Sequence, residues 1–305
     1  MYVLPEVGAY SELPWWGRLG LPFVGIIGIY CIAALTGFNH YRVGIPFAIH
    51  RVKMHFGLMP LRSTINQFFG GIFALASGFF VGREGPSVHL GAAGTSFIGD
   101  GLKLPYNCIR ILAGCGIAAG ISASFNTPFA AMIFVMEVVL RDYRIHIFIP
   151  IMIAAAIGSV MSRMVFGDGT ALLFLSFADL DQWIYLYLVL FGMSLGALAA
   201  LFNYQLMAIM RTCQDLALHY RFIIAASFTG IIGIFIPDAM GAEFLSVHSL
   251  LDANIEIQAI FVIFLAKFVL GCVAIGLGIP GGIIGPVMII GMFAGALLAF
   301  PLENI

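Results

Sequence analysis

The chain has 305 residues, of which 61% are hydrophobic and only 10% are charged, and its mean hydropathy is +1.05. Soluble domains carry about 25% charged residues, so this composition excludes nearly every soluble class and indicates an integral membrane protein. The formal net charge of −1 excludes the broad basic surface that nucleic-acid binding requires, so no nucleic-acid partner is expected.

Long apolar runs follow one another along the whole chain. A helix that spans a bilayer needs about 20 mostly apolar residues. About eight such runs occur, near 19–36, 66–82, 108–137, 145–166, 183–210, 222–237, 257–277 and 283–301. They are apolar on all sides, which predicts helices and not the alternating strands of a membrane barrel. We therefore expect an all-α, multi-pass protein embedded in the lipid bilayer of an inner or plasma membrane.

Charged residues of the connecting segments indicate the orientation and the division of the chain. The basic residues gather in segments 42–62 and 141–144, and Lys and Arg in short loops mark the cytoplasmic side. We therefore place both segments on that side. The acidic segment between Phe166 and Trp183 is a plausible divider. It separates two halves of one membrane domain, 1–167 and 168–305.

Three of the apolar runs are interrupted by glycine and proline: VGIP at Val43–Pro46, GREGP at Gly82–Pro86 and GIPGGIIGP at Gly278–Pro286. Glycines and a proline directly before an apolar stretch are typical of a helix start. Irregular backbone inside a membrane persists only where it lines a cavity or is buried in protein. We predict half-helices whose N-termini converge on an anion, since free N–H groups and the helix dipole favour negative charge. The alternative is that the small residues only allow close helix packing.

Glu84 is a carboxylate inside the second of these breaks. A charged side chain at membrane depth is costly unless it faces water or a partner, so it indicates a functional site. One interpretation is a structural ion pair with the neighbouring Arg83. The other is that the carboxylate occupies the anion site as a tethered anion and leaves when it is protonated. In that case Glu84 is a gate and a potential proton carrier.

The patterns of enzymes and metal sites are missing or weak. The stretch GLGIPG at Gly276–Gly281 matches GxGxxG, but no predicted strand precedes it and no acidic residue follows about twenty positions on. The metalloprotease pattern HExxH is missing. The cysteines are scattered singly through apolar segments, without a CxxC pair. We predict no enzyme, no cofactor and no metal.

Three segments, in this order, resemble the CLC family of chloride channels and chloride/proton antiporters. They are GREGPSVH at Gly82–His89, FNTPFAAMIFVMEV at Phe125–Val138 and then GIPGGIIGP. The resemblance runs from about residue 19 to residue 300. It implies broken and re-entrant helices in two inverted repeats, chloride as the transported ion, and a homodimer with one pore in each subunit.

The resemblance also implies roles for individual residues. Glu84 would be the gating glutamate, and the backbone N–H groups of Arg83, Glu84, Ile283 and Ile284 would face the anion. Helix starts equivalent to the three breaks surround the anion pathway in the family. The implied anion-binding set is Val43, Gly44, Ile45, Arg83, Glu84, Gly85, Gly282, Ile283 and Ile284.

Departures from the family pattern bear on selectivity and coupling. Val43 stands where the family usually has a serine whose hydroxyl contacts the central chloride, so fluoride or an organic anion stays open as substrate. Glu137 is followed by Val138, whereas many antiporters of the family carry a second acid there as a proton relay. Channels of the family have valine, so the resemblance favours passive chloride conduction over proton-coupled antiport. Glu137 is either a candidate proton relay or the i+4 partner of Arg141.

The length departs from the family as well. The chain stops soon after the third break, and counterparts of residues 108–163 and of the last family helix are not found in its second half. Its start also looks short by one helix. We therefore expect a truncated chain whose second repeat is incomplete.

Overall fold

The computed structural model describes residues 10–37, 44–167, 182–242 and 257–299. These ranges contain eleven α-helices and no strand, which confirms the predicted all-α class. The helices are α1 (Trp15–Thr36), α2 (Ile45–Met54), α3 (Leu61–Ala76), α4 (Glu84–Gly101), α5 (Tyr106–Phe125), α6 (Pro128–Phe134), α7 (Ile145–Phe166), α8 (Gln182–Cys213), α9 (Leu218–Phe235), α10 (Ile257–Gly276) and α11 (Ile284–Ala299).

Fewer of the described helices are long and apolar enough to cross a membrane than the eight predicted runs suggest. Within the described ranges, six helices are long and apolar enough to span a bilayer: α1, α5, α7, α8, α9 and α10. The runs predicted near 66–82 and 283–301 form α3 and α11, which have only 16 residues each. Their lengths of about 24 Å fall short of the hydrocarbon thickness of about 30 Å.

The run predicted at 108–137 is not one helix. It breaks after α5 at Asn126, which has a left-handed backbone with φ of 57°. Asparagine tolerates this conformation, and Pro128 at the first position of α6 lacks the N–H that would continue α5. A π-helical turn, Val135–Leu140, then extends α6. The polar letters of FNTP therefore end one helix and begin another.

All three Gly- and Pro-containing breaks begin a helix, as predicted. The helices α2, α4 and α11 start at Ile45, Glu84 and Ile284. A proline stands at the second or third position of each, where the missing N–H would have had no helical partner. The helix starts were predictable because proline and glycine act locally.

An internal repeat relates the region around α4 to the region around α11. Residues 64–93 and 264–293 align without a gap, and the structure repeats with the sequence. The N–H of Phe79 bonds to the carbonyl of Ala74 at 3.3 Å, and the N–H of Ile279 bonds to that of Ala274 at 3.0 Å. The identical pairs are Phe68/Phe268, Gly71/Gly271, Ala74/Ala274, Gly78/Gly278, Gly82/Gly282, Gly85/Gly285, Pro86/Pro286 and Gly91/Gly291.

The two basic segments share one end of the helix bundle. The ring of Phe56, in segment 42–62, stacks on Tyr106 at the start of α5, with centroids 5.4 Å apart. One turn further along α5, Arg110 donates to the carbonyl of Leu140, which directly precedes segment 141–144. This common location agrees with the prediction that both lie on one side of the membrane. The acidic divider expected between the halves falls almost entirely outside the described residues.

Candidate anion-binding site

The three helix starts meet at the centre of the molecule. Gly44, before α2, has a φ of +81° that favours glycine. A Cβ built on it would lie 3.2 Å from the carbonyl oxygen of Gly281 and 3.9 Å from the Cα of Gly85. Gly85 is itself so close to Gly281 that a Cβ there would overlap its carbonyl group. The structure therefore brings the three breaks together, at residues 44, 85 and 281.

A short two-stranded contact fixes the second break against the third. The N–H of Gly82 bonds to the carbonyl of Gly282 at 2.8 Å, and the reverse bond measures 2.7 Å. These residues are equivalent in the internal repeat. The pair therefore lies on the approximate symmetry axis and sets α4 and α11 start to start.

The carboxylate of Glu84 lies in this junction and is completely buried. Its Oε1 accepts a hydrogen bond from the backbone N–H of Gly285 at 3.0 Å. Its Oε2 has no hydrogen-bonding partner among the described residues. A Cβ on either Gly82 or Gly282 would overlap the carboxyl group, so both glycines are needed for its position.

Gly285 is the second residue of α11, so its N–H is one of the free donors of a helix start. The partial positive charge of that helix end stabilises an anion. The carboxylate of Glu84 therefore lies at a position whose donor and helix dipole favour negative charge.

Arg83 does not neutralise Glu84 by direct contact. Its side chain is exposed, and its Nη2 donates to the carbonyl oxygen of Ser124 at 2.9 Å. The structure shows no ion pair between Arg83 and Glu84, in contrast to the structural alternative considered from sequence. Their side chains leave the start of α4 in different directions.

The remaining predicted anion-site residues take different positions. Gly85 and Gly282 are buried at the junction, and Ile45 is buried at the start of α2. Ile283 packs against the hydrophobic core of the second half, whereas Ile284 packs against that of the first half. Val43 lies outside the described residues.

Glu137 lies in the π-helical turn and is exposed, as is Val138. Arg141 follows the turn with a left-handed backbone, φ of 54°, so the i+4 geometry of a regular helix is not available. The structure shows no ion pair between these two described residues, Glu137 and Arg141. The turn is at the basic end of the bundle, away from the Glu84 junction.

A family model described as "Voltage gated chloride channel" matches residues 24–305. The chain belongs to this family, the CLC family. Its members transport anions, and the present chain is an integral multi-pass membrane protein.

Known CLC proteins resemble the chain over most of its length. It is 28% identical to a ClcB-like protein of Ralstonia nicotianae, over 95% of this chain and 69% of that protein. It is 27% identical to the H(+)/Cl(-) exchange transporter ClcA of Vibrio parahaemolyticus, over 75% of this chain. The match covers 51% of ClcA, so the chain spans about half the length of that relative.

Solved CLC structures share the fold. A slow cyanobacterial Cl-/H+ antiporter superimposes with a TM-score of 0.81 at 20% identity, over 96% of this chain and 70% of that one. A CLC-type fluoride/proton antiporter superimposes with a TM-score of 0.77 at 25% identity, over 94% and 72% of the two chains.

Three glycines of this CLC junction escaped the sequence interpretation: Gly82, Gly281 and Gly285. The constant spacing between GREGP and GGIIGP pairs Gly82 with Gly282 and Gly85 with Gly285, so it could have identified the first and the last of the three. Gly281 has no such signal, because its counterpart is Val81. One catalytic pattern also needs comment, because GMSLG at Gly192–Gly196 matches the GxSxG of hydrolases. Here it lies inside α8, where Ser194 donates to the carbonyl of Phe191, and not at a strand-to-helix turn.

Proposed function

We propose that this CLC-family protein exchanges chloride for protons, and that Glu84 is the group for which both ions compete. The observation that carries the proposal is the hydrogen bond from the N–H of Gly285 to the buried carboxylate of Glu84. A carboxylate and a chloride ion both need donors and positive potential, and one helix start supplies them. The two anions therefore exclude each other from the start of α11.

Protonation links this competition to transport. When Glu84 takes up a proton, its charge disappears and the carboxyl group no longer gains from the dipole of α11. The free N–H groups of the helix start then bind an incoming anion. When the proton leaves, the carboxylate returns and displaces the anion. Each cycle moves an anion and a proton in opposite directions.

Exchange is supported more strongly than passive conduction. Passive conduction was expected only from Val138, an apolar residue at the position of the family's second proton acceptor. The ClcA proteins of several Vibrio species are named as exchangers, and the solved structures at TM-scores of 0.81 and 0.77 are named as antiporters. The name of the Ralstonia relative describes a chloride channel, so coupling needs a direct test.

Fluoride is the second candidate substrate. The fluoride/proton antiporter is 25% identical to this chain, compared with 20% for the cyanobacterial chloride antiporter. Val43 also removes the hydroxyl that the resemblance assigns to chloride binding. The backbone donors of the junction would accept either halide.

We also propose that two copies form a homodimer, as the family resemblance implies. Large apolar side chains of α7 are exposed, including Ile149, Ile153 and Ile157. Lipid or a second copy must cover such a surface. Cross-linking of the full-length protein in membranes distinguishes a lipid-covered surface from a dimer. At protein-to-lipid ratios too low for random contacts, only a dimer gives cross-linked pairs.

The exchange proposal is tested with the full-length protein in sealed liposomes. A chloride gradient should drive protons uphill, and a fluoride gradient should do so faster if fluoride is the substrate. Chloride movement without any proton movement would favour the passive channel. If neither chloride nor fluoride moves, both the exchanger and the passive channel are excluded.

A further inference from the structure

Two strongly polar side chains, one on α3 and one on α4, are completely buried outside the Glu84 junction. Gln67 of α3 and His89 of α4 are both 0% exposed. Both amide atoms of Gln67 and the Nδ1 of His89 have no hydrogen-bonding partner among the described residues. Buried polar groups in membrane proteins are costly and are usually satisfied by protein or by ordered water. These atoms therefore point to a ligand.

The hydrogen bonds around His89 indicate which ring nitrogen is the open one. The hydroxyl of Thr64 donates to the carbonyl of Pro60 at 3.1 Å, so its oxygen is left to accept. That oxygen lies 3.4 Å from Nε2 of His89, which we assign as the protonated nitrogen. Nδ1 then carries a lone pair that needs a donor. The ring stacks on Phe47 with an interplanar angle of 3°, which fixes its plane.

Gln67 lies on the same face of α3 as this contact. It stands one turn after Thr64, which contacts His89, and one turn before Gly71, whose Cβ direction meets Pro86 of α4. The internal repeat supports this placement, because Lys267, the counterpart of Gln67, contacts Phe293 of α11. The counterpart of Phe293 is Ala93, one turn from His89. The amide of Gln67 and the Nδ1 of His89 thus belong to one interface.

This polar interface is confined to the half of the chain that carries Glu84. The residues equivalent to Thr64, Gln67 and His89 are Phe264, Lys267 and Ile289. Lys267 is engaged with the carbonyl of Gly241 and the ring of Phe80. Ile289 is an ordinary core residue. Since Ile289 packs at the equivalent position of α11, helix packing alone does not require a histidine at residue 89.

His89 lies between Glu84 and the basic end of the bundle. It is five residues beyond Glu84 on α4, or about 7.5 Å along the helix axis. Its partner Thr64 is in the first turn of α3, whose first two residues belong to the basic segment 42–62. A proton that moves from Glu84 to His89 therefore moves toward the predicted cytoplasmic side.

We propose that Gln67, Thr64 and His89 form an internal water-binding site in which His89 carries protons between Glu84 and the cytoplasmic side. A water donates to Nδ1 of His89 and accepts from the amide of Gln67. A proton released by the carboxyl group of Glu84 passes through water to the Nδ1 lone pair and forms an imidazolium. Loss of that proton toward the basic end restores the neutral ring. The proposal rests on the proposed exchange and supplies a relay where Val138 offers none.

Other titratable groups on the elements around α4 do not replace His89 in this position. Arg51 and Arg110 donate to backbone carbonyls, and Cys115 is buried in the hydrophobic core. The exposed ones are His50, Lys53, His55, Arg62, Arg83, Asp100, Lys103, Tyr106, Cys108 and Glu137.

The test measures chloride and proton fluxes together in liposomes that contain the full-length protein. His89→Gln keeps hydrogen bonding but does not carry a proton, and His89→Phe keeps the stack on Phe47. Both should lower proton flux at least about tenfold relative to chloride flux. Gln67→Met should lower the same ratio less, because water keeps its contact to His89. The control Thr229→Val removes a buried hydroxyl of α9 that has no hydrogen-bonding partner among the described residues, and it should leave the ratio unchanged.

An unchanged flux ratio in both His89 variants would overturn the relay, while exchange by the unmodified protein would leave the proposed function standing. If His89→Gln keeps the normal ratio of proton flux to chloride flux and His89→Phe does not, His89 only positions other groups. That result would also overturn the relay. If the unmodified protein moves chloride without protons, both proposals fail.

Discussion

The carboxylate of Glu84 accepts a hydrogen bond from the backbone N–H of Gly285, a residue 201 positions further along the chain. The two residues belong to equivalent breaks of an internal repeat, so the start of α11 binds the side chain that leaves the start of α4. With the backbone pair of Gly82 and Gly282, this contact joins two breaks that lie in different predicted halves of the chain. Under the proposed function, a small anion competes with this carboxylate for the N–H of Gly285.

Gly282 provides the space for this carboxylate, and Gly282→Ala should displace it. The added Cβ would overlap the end of the Glu84 side chain, which can move, and not a backbone group, so the fold should survive. With the carboxylate displaced, anion flux at neutral pH should rise and depend less on pH. Gly291→Ala is the matched control on α11, because nothing lies within 4 Å of its added Cβ. Equal pH profiles for the two variants would show that the carboxylate does not occupy the site.

Gly116 is needed for the close packing of α5 against α4. Its added Cβ would overlap the backbone carbonyl of Gly91, where α4 and α5 approach closely. Gly116→Ala should therefore lower the free energy of unfolding by about 1–3 kcal/mol. Gly94→Ala, where the space is open, is the control and should be neutral or slightly stabilising. Thermal unfolding in detergent measures both, and identical midpoints would contradict the packing argument.

The helix starts could be predicted from sequence, but the contacts between them could not. Pro46 and Pro86 act through their own backbone, so a local reading finds the starts of α2 and α4. The Glu84–Gly285 contact depends on how two distant breaks meet, which hydropathy does not encode. The apolar run at 108–137 misled for a related reason. Its average hydropathy hides Asn126, whose left-handed backbone ends α5.

Val43 predicts weak chloride binding at the central position. A hydroxyl donor to a desolvated anion contributes on the order of 1.5–3 kcal/mol, and valine has none. Val43→Ser should therefore tighten chloride binding by roughly tenfold if about 1.4 kcal/mol is recovered. Calorimetric titration of both full-length proteins with chloride measures this. Equal affinities would mean that residue 43 does not face the anion.

Asp142 should not contribute to the pH dependence of transport. The side-chain hydrogen bond from Arg144 lowers the pKa of the Asp142 carboxyl group below its usual value, in a loop outside the membrane. Because the pKa of Asp142 is lowered, the stability that its ion pair with Arg144 gives to the folded state is present at neutral pH. It is lost only as the pH falls through that lowered pKa. Between about pH 4.5 and 7.5 the group stays ionised. Asp142→Asn should therefore leave the pH profile of flux unchanged, and a shifted profile would implicate this loop.

The most direct test of the account compares proton transport by the full-length protein and by Glu84→Gln under the same chloride gradient in sealed liposomes. Glutamine keeps the shape and the acceptor oxygen of the protonated carboxyl group, but it releases no proton. The account predicts that the unmodified protein drives protons uphill, whereas Glu84→Gln passes chloride without protons and independently of pH between about pH 4.5 and 7.5. Uphill proton transport that persists in Glu84→Gln, or a chloride flux that keeps its pH dependence, would contradict it.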